Sequence, residues 1–464
     1  MYPLDPAPQD MRAMGEAALE YLIGFLGGLD DAPAENAGGG AEVARRLRAA
    51  PPEVGGSFDE AFAEFRLAAE HSFETEGPGY LAYVPGGGLF AAALADFLTL
   101  GVNRFVNLSM ASPGIAQIEQ NVCRWICDLF GYPEEARGLL TSGGSMANLS
   151  AIVTARHAKL GEDFLDGTYY VSEQAHVSLS KAARIAGLPR RALRTVPTDD
   201  QLRMDPVALR EMVRADRAAG ARPFLVVPSS GTTNTGAIDP VGAVADIAAD
   251  EDLWMHVDGA YGGFFILTDR GRERFAGIER ADSVTLDPHK GMFLPYGTGS
   301  LAVRDGEALR AAHHESAAYL QDVDVEGDIP NFTEYSPELS RDVRGLRVWL
   351  PLKLHGVSAF RDALDEKLDL TAFLHEALSA DPHIEVLWPP QLTVVTFRLA
   401  GGDDEAQKRF LARINASKRV FLSSTVLQGR YTLRACLVSH RTHKDRIEEC
   451  IEIVARAAAE LSTG

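Results

Sequence analysis

Between residues 90 and 305 the chain sets short, uniformly apolar runs between helical stretches: "GTYYVS", "PFLVVPSSG", "DLWMHVDGAY", "DSVTLD" and "GSLAVR". Strands that alternate apolar with polar residues leave one face in water. Strands apolar throughout are covered on both faces, as in a mostly parallel sheet flanked by helices. The intervening helices supply the crossovers that parallel strands require. The expectation is an α/β fold with a mostly parallel sheet in a large domain. At 464 residues the chain also has room for a second domain.

The expected division is an N-terminal helical segment over 1–89, a large domain over 90–345 and a small α+β domain over 346–464. The first segment is broken by the turn-rich "DDAPAENAGGG" and "APPEVGGSF". Residues 306–345 read as polar and irregular. The last part opens on one long helix, "LRVWLPLKLHGVSAFRDALDEKLDLTAFLHEAL", and holds the strands "LTVVTFRL" and "YTLRACLVS".

A net charge of −20 argues against nucleic acid and anionic membranes as partners. The most apolar run, "LFAAALADFLTLGV", is interrupted by Asp96 and falls short of the ~20 residues of a membrane span. Asp5, Asp10 and Glu16 occupy the place of a basic leader, so a cytoplasmic location is expected. Cys123 and Cys127 share a helix face and read as buried free thiols. His313 with His314, and His440 with His443, lack Cys or carboxylate partners at ligand spacing, so no metal is expected.

Chemistry-bearing residues gather where apolar runs end. "TSGGSMANLS" (141–150) is a strand-to-helix turn. Gly143, Gly144, Ser145 and Asn148 there form either an ordinary tight turn or an anion cradle at a helix N-terminus. Asp258 in "LWMHVDGAYGG" is either a cap or a ligand at the sheet edge where α/β proteins bind small molecules. Lys290, beside His289 in "SVTLDPHKGMFLPYGTG", is either a solvated loop charge or a nucleophile. His176 follows another strand-like run, and Thr232 and Thr233 follow a further one. Taken together, an anion cradle, a lysine, an acid and a flat ring at successive strand ends suit pyridoxal 5'-phosphate. That cofactor needs an amine to form an imine and a carboxylate to keep its ring nitrogen protonated.

With "YLAYVP", "ASPGIAQIE", "EQAHVSLSKAARIAG", "SSGTTNTGAIDP", "DPHKGMFLPYGTGSLAVRD" and "YSPELSRDVRGLRVWLPLKLHG" added in that order, the chain from about residue 70 onward resembles the group II pyridoxal-phosphate-dependent amino acid decarboxylases. The resemblance implies the fold type I (aspartate aminotransferase-like) architecture and a homodimer with active sites at the subunit interface. It implies that Lys290 links the cofactor, that Asp258 pairs with the ring nitrogen and that His176 stacks on the ring. It further implies that Gly144, Ser145 and Asn148 surround the phosphate, with Thr233 and His289 also in the pocket. Tyr83 would line the substrate site. Tyr319, in "SAAYLQDVDVEG", would return a proton to the carbon that loses CO2. The implied reaction is decarboxylation of an L-amino acid, an aromatic one of tyrosine, tryptophan or DOPA type being the first choice.

Compared with the animal aromatic decarboxylases, Val84, Asn107 and Ser109 stand where bulkier pocket residues are expected, and Asp342 breaks an arginine pair in "LSRDVRGL". These departures bear on substrate rather than chemistry. The competing readings are decarboxylation of a non-aromatic amino acid, an aldehyde synthase that couples decarboxylation to oxidative deamination, and a non-catalytic relative. Retention of Tyr319 and His176 favours the simple decarboxylase over the synthase, and retention of Lys290 and Asp258 favours an enzyme over the inert relative.

Overall fold

The apolar runs are strands because nothing in them tolerates water: every residue of Gly167–Ser172, Trp254–Gly259, Ser283–Leu286 and Gly299–Val303 is buried. The computed structural model describes residues 4–315 and 329–462. Tyr319, with the rest of "SAAYLQDVDVEG", lies outside the described residues.

Among the described residues the main sheet has seven strands: β1 (Arg137–Thr141), β2 (Gly167–Ser172), β3 (Leu193–Val196), β4 (Arg222–Val227), β5 (Trp254–Gly259), β6 (Ser283–Leu286) and β7 (Gly299–Val303). Their order is β1-β7-β6-β5-β4-β2-β3. Pairing is parallel from β3 through β6, whereas β7 runs antiparallel to both β6 and β1. The C-terminal ends of six strands and the N-terminal end of β7 therefore meet at one edge. Strand β3 escaped the sequence reading because "LRTV" is an edge strand of only four residues. Its Arg194 reaches out to a bidentate pair with Asp216 instead of entering the core.

Helices cover both faces of the sheet, as the apolar runs require. Gly144–Leu160 and Val177–Ile185 bury Ala147, Ala151 and Leu179 against Phe224, Trp254 and Leu301. Pro113–Asp128, Pro206–Ala218 and Val241–Asp250 bury Val122, Ile126, Val213 and Ile247 with Met255, Val257 and Ala302. Cys123, Cys127, Cys436 and Cys450 are free and buried. Among the described residues no helix is long and apolar enough to cross a membrane.

A second sheet, β8 (Ile384–Val386), β9 (Val394–Leu399), β10 (Ser423–Leu427) and β11 (Arg430–Cys436), is antiparallel in the order β10-β11-β9-β8. Helices Asp404–Asn415 and Lys444–Ser462 close it over Phe397, Phe410, Leu433 and Val454. Leu81 joins this core, and its backbone bonds to Phe421 and Cys436 tie the N-terminal part of the chain to the small sheet.

The long C-terminal helix departs from expectation. Gly345–Ala380 is broken at Gly356, whose φ of 73° is left-handed and ends the first half. Val348, Phe360 and Leu364 then pack in the large core, and Leu370, Leu374 and Leu378 in the small one. Residues 306–345, read as irregular, begin instead with helix Gly306–His313. Asp305 caps it by accepting from the N–H groups of Glu307 and Ala308 at 3.0 and 3.1 Å.

Asn107 and Ser109, the unusual small residues of the sequence reading, fasten the chain beyond residue 329. Ser109 donates from N and Oγ to Asn331 Oδ1 at 2.8 and 3.0 Å, and Asn107 Nδ2 donates to the Leu339 carbonyl at 2.6 Å. Next to them the fully buried Glu119 pairs with Arg341 and accepts the Gly345 N–H at 3.0 Å. Glu119→Ala strands the Arg341 guanidinium in the interior, so it is expected to destabilise the protein by about 3–5 kcal/mol. Denaturant unfolding of the variant beside wild type measures that loss.

Candidate functional site

Strand β1 ends in a turn that only glycine fits: Gly143 adopts φ 152°, ψ 171°. A Cβ on Gly299, at the start of β7, would lie 2.4 Å from the Gly143 backbone. This close approach aims the N-terminus of helix Gly144–Leu160 at the sheet edge, with no side chain capping it. Its free N–H groups and positive dipole end face a cavity of about 240 Å³. Ser142, Gly144, Ser145, His176, His289 and Lys290 are on the cavity wall.

Lys290 comes from the short turn Pro288–Gly291 directly after β6. Its Nζ lies 3.0 Å from Asp287 Oδ2, and the other oxygen of that buried carboxylate has no hydrogen-bond partner. His289 donates from Nδ1 to the Thr298 carbonyl at 2.6 Å, which turns Nε2 toward Asp287 at 3.7 Å. Burial holds the His289 pKa below its ordinary value, against the pull of the Asp287 charge.

His176 caps helix Val177–Ile185, its Nδ1 2.8 Å from Ser178 Oγ and accepting from the Ser178 N–H. Burial lowers its pKa too, with Asp258 opposing and Lys290 assisting. Asp258 closes β5. Its Oδ1 accepts from the Ala260 N–H at 3.2 Å, and its Oδ2 from Asn148 Nδ2 at 3.3 Å. Asn148 Nδ2 also lies 3.0 Å from Ser178 Oγ, so Asp258 connects with the cavity wall through one amide.

Thus Gly144, Ser145, His176, His289 and Lys290 line one cavity, and Asn148 and Asp258 are coupled to it. Thr233 stands on the loop after β4, where its carbonyl accepts from Arg434 Nη2 at 2.7 Å; it is not on the cavity wall. Tyr83, at φ 54°, is exposed and tied through its N–H to Ser423 Oγ at 3.0 Å. Three residues later the chain packs Gly86 against the His289 carbonyl and the Tyr296 ring.

Sequence reasoning missed Asp287, Ser178 and His256. Asp287 satisfies the same strand-end rule that selected Asp258 and was passed over for its neighbour Lys290. His256 precedes Asp258 by two in β5, so the period of a strand puts both on one face. Its Nε2 is 3.0 Å from Asn148 Oδ1, and its Nδ1 is 2.8 Å from Ser283 Oγ on the adjacent strand. Burial pushes its pKa down to about 4, opposed by the Asp258 charge.

The residues present suit pyridoxal phosphate: an uncapped helix N-terminus for the phosphate, a lysine Nζ on the same wall, and a carboxylate fixed by an amide one layer away. The family model for the pyridoxal-dependent decarboxylase conserved domain matches residues 44–400. The chain is 35% identical to the aromatic-L-amino-acid decarboxylase of Bacillus atrophaeus over 99% of this chain and 98% of that one. It is 33% identical to the L-2,4-diaminobutyrate decarboxylase of Rhizobium meliloti over 89% and 84% of the two chains. The crystal structure of Oryza sativa TDC with PLP and tryptamine superimposes with a TM-score of 0.92 at 26% identity, covering 99% of each chain.

The depressed His256 pKa gives a pH dependence with a definite sign. The unfolded chain takes up the proton near 6.5, whereas the folded one refuses it until about 4. The stability so contributed is complete above the higher value and lost as pH falls toward the lower, by about 3 kcal/mol in all. Urea unfolding between pH 7 and pH 4 should show His256→Gln with a flatter acid limb than wild type.

Proposed function

The chain belongs to the pyridoxal-dependent decarboxylases, and on that footing we propose that it removes CO2 from an aromatic L-amino acid and releases the amine, working as a homodimer. It is a carboxy-lyase, and its cofactor is pyridoxal 5'-phosphate. The observation that carries the reading is the convergence of the Lys290 amine, the uncapped helix N-terminus and the His176 ring on one cavity, with Asp258 fastened beside it.

Bound pyridoxal phosphate supplies an aldehyde carbon for the substrate's amino nitrogen and a ring that withdraws the electron pair freed when CO2 leaves. The N–H groups of the first turn of helix Gly144–Leu160 would hold the phosphate. Asp258 Oδ2, fixed by Asn148, would keep a proton on the ring nitrogen. The imidazole of His176, held by the Ser178 N–H at Nδ1, would cover the ring face. Asp287, 3.0 Å from Lys290 Nζ, is in reach to take a proton from that amine and return it. Tyr319 would deliver a proton to the substrate carbon after CO2 has gone.

The aromatic preference draws on the Bacillus atrophaeus relative, which matches this chain nearly end to end. A relative of almost equal identity that is named for diaminobutyrate supports a non-aromatic substrate as the second reading. The homodimer draws on helix Phe90–Val102. One side of it packs against the helix after Gly345, while Phe97 and Leu100 are 70% and 65% exposed. Apolar surface of that kind marks a contact between chains, and the occupant proposed is a second copy.

Release of CO2 from a panel of aromatic and diamino acids, with amine, aldehyde and peroxide assayed together, tests the reaction. One amine per CO2 from an aromatic substrate is expected, and stoichiometric aldehyde would overturn the proposal. Lys290→Ala is expected to abolish turnover and the visible absorbance of the bound cofactor. For the assembly, Phe97→Glu should shift wild-type dimers toward monomers in light scattering.

A further inference from the structure

Five buried groups form a hydrogen-bonded line through the interior. Trp254 Nε1 donates to Ser283 Oγ at 2.9 Å, and Ser283 Oγ lies 2.8 Å from His256 Nδ1. His256 Nε2 lies 3.0 Å from Asn148 Oδ1, and Asn148 Nδ2 lies 3.3 Å from Asp258 Oδ2. None of the five residues is more than 6% exposed, so water cannot stand in for a missing partner.

The two ends of the line fix its direction. An indole N–H only donates and a carboxylate only accepts. Asn148 must therefore turn its NH2 to Asp258, which leaves its carbonyl facing His256. That carbonyl requires a hydrogen on Nε2, and a neutral ring protonated there has a bare Nδ1. The bare nitrogen takes the Ser283 O–H, whose oxygen is free to accept from Trp254. Thr285 Oγ1, 3.3 Å from Nε2, fits as a second acceptor. The low pKa that burial gives His256 agrees with a neutral ring throughout the working range.

We propose that His256 is a positioning residue for the cofactor: its Nε2–H locks the Asn148 amide in the one orientation that presents a donor to Asp258. The proposal rests on the reading of Asp258 as the partner of the cofactor's ring nitrogen. Without the Nε2–H, a flipped Asn148 amide is opposed only by Ser178 Oγ and Asp258 on its NH2 side. Its carbonyl would then face Asp258 Oδ2, two acceptors would oppose each other, and the carboxylate would leave its place. The effect reaches the cofactor through Asn148 and Asp258, with no contact from His256 itself.

The test follows cofactor dissociation from the full-length holoenzyme, read as loss of visible absorbance on dilution, together with the pH titration of that absorbance. His256→Leu is expected to weaken cofactor binding about tenfold, the scale of one buried hydrogen bond, and to move the titration midpoint. His256→Gln, which can place an N–H where Nε2 stands, should stay within about threefold of wild type, as a restored donor predicts. Ser283→Ala removes one hydroxyl and frees the tautomer. It should fall between the two, and it carries the test should His256→Leu not fold. Equal loss in the Leu and Gln variants would assign His256 to packing and overturn the proposal, as would wild-type behaviour of both His256→Leu and Ser283→Ala. A wild type that never retains the cofactor would overturn the functional reading itself; a wild type that retains it, alongside variants that retain it equally, would overturn only the role of His256.

Discussion

A polar group inside a sheet covered on both faces must find a partner in the protein, because water is not available. Strands β5 and β6 carry such groups side by side. Their parallel register sets His256 beside Ser283 and Asp258 beside Thr285. Helix Gly144–Leu160 lies over this stripe and contributes Asn148, which joins His256 to Asp258. The same helix presents its open N-terminus to the cavity. One element thus satisfies the buried stripe and opens its N-terminus on the cavity, and the placement of Asp258 relative to that N-terminus follows from its rigidity.

The reversed strand β7 serves the same end. By running against its neighbours it brings Thr298 and Gly299 to the edge where the other strands finish. The Thr298 carbonyl takes the Nδ1 proton of His289, and Gly299 leaves room for the Gly143 turn. The small domain contributes at a distance. Arg434 of β11 holds the Thr233 carbonyl, and Ser423 of β10 holds the Tyr83 N–H, so the two segments carrying these residues are anchored to the second sheet.

Much of this was legible in the sequence. Uniform apolar runs identify doubly covered strands, and the residues following them identify the sheet edge on which the cavity opens. Lys290, Asp258, His176 and the Gly143–Gly144 turn all stand at such ends. Other features escaped because they depend on partners remote in the chain. Asn107 and Ser109 read as standing where bulkier pocket residues are expected, and their bonds to residues more than 200 positions away leave no trace in the local sequence. Strand β3 and the break at Gly356 were missed because a short edge strand and a single left-handed residue leave little periodic trace.

The sequence by itself determined the sheet, the chemical kinds of residue at its edge and the family to which the chain belongs, because strand burial and strand-end position are local consequences of composition and period. Only the tertiary structure decided which side chains meet. Nothing in "LWMHVDGAY" states that His256 reaches Asn148, or that the amide of Asn148 then turns to Asp258. Those contacts arise when a helix more than 100 residues away is laid across two parallel strands. They are directional because, once buried, each donor must face an acceptor.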